Sequence, residues 1–274
     1  MRVHHIDCAT MCPPSRRLIN GNGGLFERSR MVAHCLLVET DAHGLVLVDT
    51  GLGEADLRDP AGRLGGAFAS LMGIGKIPFK TAAQHVVALG HQLADVRHII
   101  PTHLDLDHAG GLGDFPDATV HIHQREHDAA LSPTWRERER YRACHWAHGP
   151  RWAPYEATGE PWMGFAAVRD LAGLPPEVLA VPLPGHTRGH ACVAVKAGGR
   201  WLLHAGDAFF HRHTVEPGAG AAPAGLRAFE ALVAMDRAAV RANHTRLREL
   251  ARDRGGEVTV FCAHDPVQLA RLGG

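Results

Sequence analysis

The chain has 274 residues, long enough for one large domain or two small ones, and its 45% apolar and 21% charged content is ordinary for a globular protein. Its 29 basic and 29 acidic residues cancel, so no nucleic acid partner is expected. The N-terminus lacks the apolar segment of a signal peptide and no apolar run reaches the roughly 20 residues that span a bilayer, which predicts a cytoplasmic protein without a membrane partner. Its 21 histidines are unusual and suggest metal ligation or proton handling.

The first half of the chain alternates strand-like and helix-like segments. Apolar runs rich in β-branched residues predict strands at 35–40, 45–49, 96–101 and 119–123. A polar turn that contains Gly44 joins the first two of these strands, as in a β-hairpin. The Gly-rich segment 51–80 has little periodicity and predicts a long loop. Helices are predicted at 81–93, where Thr81 can cap the first turn, and at 124–131.

The second half opens with a segment of different composition, residues 132–165, which holds four tryptophans among arginines and prolines. It predicts either an insertion over a functional site or a partly helical surface flap. A helix, broken near Asn243, is predicted at 226–254. Strands are predicted at 179–183, 191–196, 201–204 and 258–262. Strands and helices that follow one another in this way predict two sheets with helices outside.

The most informative stretch is Pro-Thr-His-Leu-Asp-Leu-Asp-His-Ala-Gly-Gly at 101–111. It places His103, Asp105, Asp107 and His108 within six residues. Imidazole and carboxylate groups are side chains that hold divalent first-row metal ions in proteins. Four of them so close together predict a metal site, and with it a metal-dependent hydrolase.

Three further residues with metal-binding side chains follow predicted strands, where a rigid sheet edge aims functional groups. They are His186 in Pro-Gly-His-Thr, Asp207 in Gly-Asp-Ala, and His264 after the last strand. Singly each is weak evidence, because an aspartate in a turn is usually a cap. In order with the cluster at 103–108, and with Asp49 in Leu-Val-Asp-Thr-Gly before it, they resemble the motifs of the metallo-β-lactamase-fold hydrolase superfamily.

That resemblance covers nearly the whole chain and implies an α/β (α+β) fold, the four-layer αββα sandwich of the metallo-β-lactamase type. The metals are then expected at one edge, between the two sheets. One domain over 1–274 is expected, in which the insertions 51–80 and 132–165 shape the substrate pocket. The tryptophans of the second insertion suggest an apolar wall suited to acyl or aromatic groups.

Within the superfamily the chain looks most like the N-acyl homoserine lactone lactonases. The shared details are Asp-His-Ala-Gly-Gly at 107–111, Gln-Arg-Glu at 124–126, Pro-Gly-His-Thr-Arg-Gly-His at 184–190 and His-Asp-Pro-Val-Gln at 264–268. The resemblance implies a dinuclear hydrolase that opens a lactone or similar carboxylic ester, a small-molecule substrate, through a hydroxide that bridges the metals. The oligomeric state stays open, with a homodimer as one alternative.

Other functions remain open at this point. A thioester hydrolase like glyoxalase II, or another hydrolase of this fold, would use the same kind of metal site. An iron-dependent oxidoreductase is a different class, because flavo-diiron proteins carry an acidic residue where this chain has Asp105. They rely on an attached flavodoxin domain, for which the chain has no room. A non-catalytic binding protein is disfavoured, since every ligand position holds a competent residue.

The resemblance also implies a ligand set. The seven expected metal ligands are His103, Asp105, Asp107, His108, His186, Asp207 and His264. His103 and His186 would hold one ion, and the pair at 107–108 would hold the other together with His264. Asp207 would bridge the two ions.

Asp49 is expected to orient metal ligands through hydrogen bonds, and Asp107 and Asp207 are the residues expected to take part in catalysis. The cofactors implied are two divalent ions, with zinc favoured. Asp105 departs from the family pattern, because the usual motif is HxHxDH and this chain has HxDxDH. The added carboxylate makes the site richer in oxygen and tilts metal preference toward manganese or iron.

Phe210 is a second departure from the family pattern. Lactonases of this type typically place a tyrosine three residues after the bridging aspartate, where it assists the carbonyl or the leaving group. Phenylalanine has no hydroxyl and cannot donate a hydrogen bond. His211 and His213 are the neighbouring candidates to replace that tyrosine. Hydrolysis is therefore predicted more firmly than lactone specificity.

Overall fold

Two β-sheets lie at the centre of the chain in a computed structural model, which describes residues 1–166, 171–216, 218 and 220–273. The strands are β1 Arg2–Met11, β2 Met31–Glu39, β3 Leu45–Val48, β4 Val96–Ile100, β5 Thr119–His123, β6 Arg151–Tyr155, β7 Pro161–Trp162, β8 Phe165–Ala166, β9 Val178–Pro182, β10 Ala191–Ala197, β11 Arg200–His204 and β12 Val258–Phe261. The larger sheet has the order β1-β2-β3-β4-β5-β6, antiparallel as far as β3 and parallel from β3 to β6. The smaller sheet has the order β12-β11-β10-β9, in which β11 and β12 are parallel.

Helices lie between the strands along the chain. They are α1 Arg16–Asn20, α2 Glu54–Arg58, α3 Gly66–Met72, α4 Ala82–Ala88, α5 Leu106–Ala109, α6 Gln124–Leu131, α7 Ala224–Val233, α8 Arg237–Asp253 and α9 Pro266–Leu272. Among the described residues, no helix combines the length and the apolar character needed to cross a bilayer.

The sheets pack against each other on one face and against helices on the other. Val46 and Val48 of β3 share the central cluster with Val193 of β10. Leu47, between them, points to the opposite face and shares a cluster with Val86 of α4. Helix α8 packs on the outer face of the smaller sheet in the same way. Strands buried on both faces explain the nearly continuous apolar runs of the sequence, and the predicted αββα sandwich is confirmed.

The local structure in the first part of the chain differs from the prediction at the segment 51–80 and at β1. The segment 51–80, predicted as a long loop, contains α2, α3 and a π-helical stretch at Ala61–Gly65. These helices are short and glycines separate or end them, among them Gly73 with φ of 60°, so no helical period builds up. Strand β1 was not predicted, because its histidines and aspartate interrupt the apolar pattern. It nevertheless pairs with β2 from Arg2 to Met11, with one irregularity between Asp7 and Thr10.

The predicted helix at 226–254 is in fact two helices, and the break predicted near Asn243 is wrong. The chain leaves the helical conformation after Val233, and Asp236 starts α8 by accepting hydrogen bonds from two backbone N–H groups at 2.9 Å. Asn243 lies inside α8 with its side chain buried. Its Nδ2 donates to the carbonyl of Pro184 at 2.9 Å. Asparagine usually weakens a helix interior, but at this position its side chain holds the loop after β9.

The segment 132–165 is largely irregular, but its strand β6 extends the larger sheet beyond β5. Its tryptophans do not form one wall. Trp146 and Trp152 pack against the cluster outside the larger sheet, and Trp162 is buried in the cluster beneath α8. Trp135 is 80% exposed and stands beside a cavity described below.

Candidate metal centre

The seven predicted ligands all lie in segments that follow strands at one edge of the sandwich: Asp107 and His108 are in the short helix α5, and the others are on loops. Residues 103–108 follow β4 of the larger sheet. The other three residues follow strands of the smaller sheet: His186 comes after β9, Asp207 after β11 and His264 after β12. The site therefore draws on both sheets, which the order of the strands brings to a common edge.

The first group of ligand atoms comprises His103, Asp105, His186 and Asp207, whose ligand atoms lie within 4.8 Å of one another. Asp105 Oδ2 is 3.0 Å from His186 Nε2 and 3.4 Å from His103 Nε2. Asp207 Oδ2 is 3.3 Å from His186 Nε2. All four residues are buried. The structure thus places Asp105 among the other ligand atoms rather than pointing it away.

The second group comprises Asp107, His108 and His264, again with ligand atoms within 4.8 Å of one another. Asp107 Oδ2 lies 3.7 Å from His264 Nε2. The second oxygen of Asp207 faces this group, since Oδ1 lies 3.0 Å from His264 Nε2 and 3.3 Å from His108 Nε2. One carboxylate therefore presents one oxygen to each group.

The polar atoms that face the site are suited to a metal ion. His103 Nε2, His108 Nε2 and Asp207 Oδ1 are buried and have no hydrogen-bond partner within the described part of the chain. Burial disfavours a charged imidazole, yet the Asp207 and Asp49 carboxylates raise the pKa of His108 well above its ordinary value. Buried nitrogen and carboxylate atoms in a negative environment fit a divalent cation, and we conclude that the residues present can hold one in each group.

Hydrogen bonds behind the histidines fix which ring nitrogen faces the site. His108 Nδ1 donates to Asp49 Oδ2 at 2.8 Å, and His264 Nδ1 donates to the carbonyl of Val32 at 2.9 Å. Both contacts leave Nε2 directed at the ligand groups. Burial would raise the pKa of Asp49, but His108 outweighs burial through its charge and hydrogen bond and lowers that pKa to about 2.

Asp207 is held by its backbone as well as by its place after β11. Its N–H donates to His190 Nε2 at 3.1 Å, so this histidine orients the loop that carries Asp207. Burial, followed by the nearby His103 and His186, keeps the pKa of His190 well below its ordinary value, which preserves an acceptor at Nε2. The residue before Asp207 must be glycine, since Gly206 has φ of 51° and a Cβ there would lie 2.7 Å from His190 Nε2.

Glu126, in the first turn of α6, connects the loop after β4 to the loop after β9 through hydrogen bonds. Its Oε1 accepts from the N–H of Leu104, and its Oε2 accepts from Thr187 Oγ1 at 2.7 Å and from the N–H of Gly189. The side chain is fully buried. A carboxylate that satisfies donors from both loops sets the distance between them.

Arg140 is the site residue that sequence reasoning missed. Its Nε donates to Asp105 Oδ1 and its Nη2 donates to Asp105 Oδ2, both at 2.7 Å. Burial would raise the pKa of Asp105, but Arg140, and after it His103, hold that pKa well below its ordinary value. No local signal distinguishes Arg140 from the four other arginines at 136, 138, 142 and 151, because its partner lies 35 residues away in the chain.

A cavity of about 590 Å³ opens over both ligand groups. Asp105, Asp107, His186, Asp207 and His264 line it on one side. Its other walls are mainly apolar and include Met11, Met31, Phe68, Met72, Phe229 and Leu232. Such a space suits a small molecule that is apolar away from its reacting group.

Phe210 lines this cavity beside two of the predicted ligands. Its ring centroid lies 5.7 Å from that of His186 and 5.1 Å from that of His264. His211 and His213, the neighbouring candidates to replace a tyrosine, are not among the described residues that line the cavity. No hydroxyl from position 210 therefore reaches the site.

Comparisons with known proteins show what the chain is similar to. The model of the Metallo-beta-lactamase superfamily matches residues 28–264. A protein of Mycobacterium tuberculosis named a probable metallo-hydrolase is 45% identical over 274 residues, which cover 99% of this chain and 83% of that protein. An N-acyl homoserine lactonase of Bacillus thuringiensis subsp. kurstaki is 29% identical over 168 residues, which cover 59% of this chain and 57% of that protein.

Solved structures share the fold at lower identity. An N-acyl homoserine lactone hydrolase with N-hexanoyl-L-homoserine at its catalytic metal centre is 22% identical, with a TM-score of 0.68 over 98% of this chain and 95% of that chain. A dizinc quorum-quenching lactonase is 17% identical, with a TM-score of 0.61 over 96% of this chain and 87% of that chain.

Proposed function

The chain belongs to the metallo-β-lactamase superfamily, and on that premise we propose that it is a dinuclear metal-dependent hydrolase that opens a lactone or a similar carboxylic ester. The observation that carries the proposal is the position of Asp207. Its Oδ2 lies 3.3 Å from His186 Nε2 in the first group, and its Oδ1 lies 3.0 Å from His264 Nε2 in the second. A carboxylate shared in this way supports two neighbouring ions.

The two groups of residues would each hold one ion. Asp105 would belong to the first ion and Asp107 to the second, and Asp207 faces both groups and could serve either. Two divalent ions bound here supply a polarised carbonyl and a water acidic enough to ionise near neutral pH. Zinc suits the histidines, and a lactonase of similar fold is dizinc. The carboxylate of Asp105 also admits manganese or iron.

The protein's own groups orient the ligands and move the proton. Asp49 and the Val32 carbonyl keep His108 and His264 with Nε2 facing the site. Ester hydrolysis takes one proton from the attacking water and returns one to the leaving alkoxide. Asp107 lines the cavity on the substrate side, and we assign this transfer to its carboxylate.

The cavity supports an acyl substrate. Apolar side chains, among them Met31, Met72 and Phe229, provide a volume of about 590 Å³ next to the ligands. Each buried CH₂ group of an acyl chain contributes about 0.8 kcal/mol of binding free energy. We therefore expect affinity to rise with the length of the acyl chain until the cavity is full.

A thioester hydrolase is the second candidate, and Phe210 is the observation that favours it. Without a hydroxyl at this position, the leaving group receives no hydrogen bond from that side of the cavity. A thiolate, with a pKa of about 8.5 for its thiol, leaves without that help far more readily than an alkoxide does. Acyl thioesters would fill the same apolar cavity.

An assay panel separates these candidates. Protein loaded with zinc or with manganese is given N-acyl homoserine lactones of increasing chain length, aryl esters and acyl thioesters, and release of acid is followed. We expect hydrolysis that a chelator abolishes, with KM falling as the acyl chain lengthens. A protein with both ions bound that hydrolyses none of the three classes would refute the proposal.

A further inference from the structure

Arg140 and Asp105 form a buried ion pair of high geometric quality. Two parallel hydrogen bonds of 2.7 Å join the guanidinium to the carboxylate, and each side chain is only 12% exposed. Bidentate arginine–carboxylate pairs are the strongest charge-assisted hydrogen bonds that side chains make. The contact therefore persists as a unit within the site.

The remaining donors of Arg140 keep the guanidinium at the ligands. Nη1 donates to the carbonyls of His186 and Val233, at 3.2 and 3.3 Å. Nη2 lies 3.1 Å from His186 Nε2, which is itself a ligand atom of the first group. The positive charge of Arg140 thus stands inside the first group and acts directly on any cation held there.

The net charge of the site explains why an arginine is paired with Asp105. Asp105, Asp107 and Asp207 bring three negative charges, and Arg140 returns one positive charge, which leaves a net charge of minus two on these side chains. A site with the usual HxHxDH motif has a neutral histidine in place of Asp105 and needs no arginine, and its two aspartates also give minus two. Asp49 lies behind His108 and does not alter the comparison.

We infer that Arg140 is the charge-balancing and positioning partner of Asp105, so that the Asp105–Arg140 pair does together what a single histidine does in the HxHxDH motif. The inference rests on the proposed function, because it concerns how the first ion is held. The inference predicts that Asp105 can be replaced by histidine without loss of metal binding only if Arg140 is replaced as well. Replacing Asp105 alone would leave the buried guanidinium of Arg140 without its carboxylate partner, next to a metal site.

The test is a double-mutant cycle read by metal binding. Wild-type protein, Asp105→His, Arg140→Met and Asp105→His/Arg140→Met are equilibrated with buffered zinc, and bound metal is counted by elemental analysis. We expect two ions in the wild type and one in Asp105→His, whose first-group affinity falls at least tenfold, about 1.4 kcal/mol. The double variant recovers two ions. Arg138→Met, an exposed arginine in the same segment, is the control and binds as the wild type does.

The recovery distinguishes charge balance from a merely structural role. If Arg140 only braced the loops, the double variant would bind metal more weakly than Asp105→His, and that result would overturn the inference, as would two tightly bound ions in Asp105→His alone. Circular dichroism checks that each variant is folded. If Asp105→His does not fold, the uncharged set Asp105→Asn, Arg140→Gln and their combination repeats the cycle. Wild-type protein that binds no metal would instead refute the proposed function itself.

Discussion

Asp49 shows how one side chain can organise a site without lining its cavity. Its Oδ2 accepts from His108, and its Oδ1 accepts from the backbone N–H of Thr102 at 2.7 Å, next to His103. The backbone of Asp49 has φ of 57°, a left-handed conformation that costs about 1 kcal/mol or more for a residue other than glycine. The turn after β3 takes up that strain because it directs the carboxylate back under the ligands.

An Asp49→Asn variant tests this role at the scale of a single group. One of the two acceptor oxygens becomes an NH₂ group that faces an N–H donor, so His108 loses its orientation. We expect metal affinity at the second group to fall by roughly 10- to 100-fold, as when a group that orients a ligand is lost. Zinc competition with a chelator measures the change, and Asp41→Asn, an exposed carboxylate in the β2–β3 turn, is the control. Equal affinity in both variants would contradict the role.

At the scale of elements, the connection between α7 and α8 holds the loop that carries His186. The N–H of Asp236 donates to the carbonyl of Gly185 at 2.9 Å, and Asn243 donates to the carbonyl of Pro184. Two hydrogen bonds therefore join the start of α8 to this loop, about two turns apart along the helix axis. The position of the first ligand group depends on a helix that contributes no ligand.

Asn243→Ala removes one of these two fastenings. The carbonyl of Pro184 is left without its donor, and we expect the free energy of unfolding to fall by about 1–2 kcal/mol. Zinc binding at the first group should weaken as well, because the loop of His186 loses a restraint. Urea unfolding and zinc competition measure the two effects. Arg241→Ala, on the exposed side of the same helix, is the control, and a variant no less stable than this control would contradict the account.

Whether a feature at this scale could be predicted depended on how far apart in the sequence the contacting residues lie. Each of the ligand positions 103, 186, 207 and 264 follows a strand with a readable apolar run, so the strands and their exits were predictable together. Arg140 was not, because it meets Asp105 through an irregular segment with no periodic pattern. The helix break predicted near Asn243 is wrong for a related reason. The preference of asparagine for helix ends is overridden here by a tertiary hydrogen bond.

At the scale of the whole molecule, the site exists only where the two sheets meet. The larger sheet provides the ligands at 103–108, and the smaller sheet provides the ligands that follow β9, β11 and β12. Asp207 faces both groups from the smaller sheet. Because the ligands are far apart in the sequence, metal binding and assembly of the sandwich should be coupled.

The measurement that tests the central claim most directly is the metal content of wild-type protein purified without added metal, counted per chain by elemental analysis. The proposal of a dinuclear hydrolase predicts two ions per chain, whether zinc, manganese or iron, held by the two groups that share Asp207. One ion or none would contradict the dinuclear site. Iron together with oxygen consumption would contradict hydrolysis and point to an oxidoreductase.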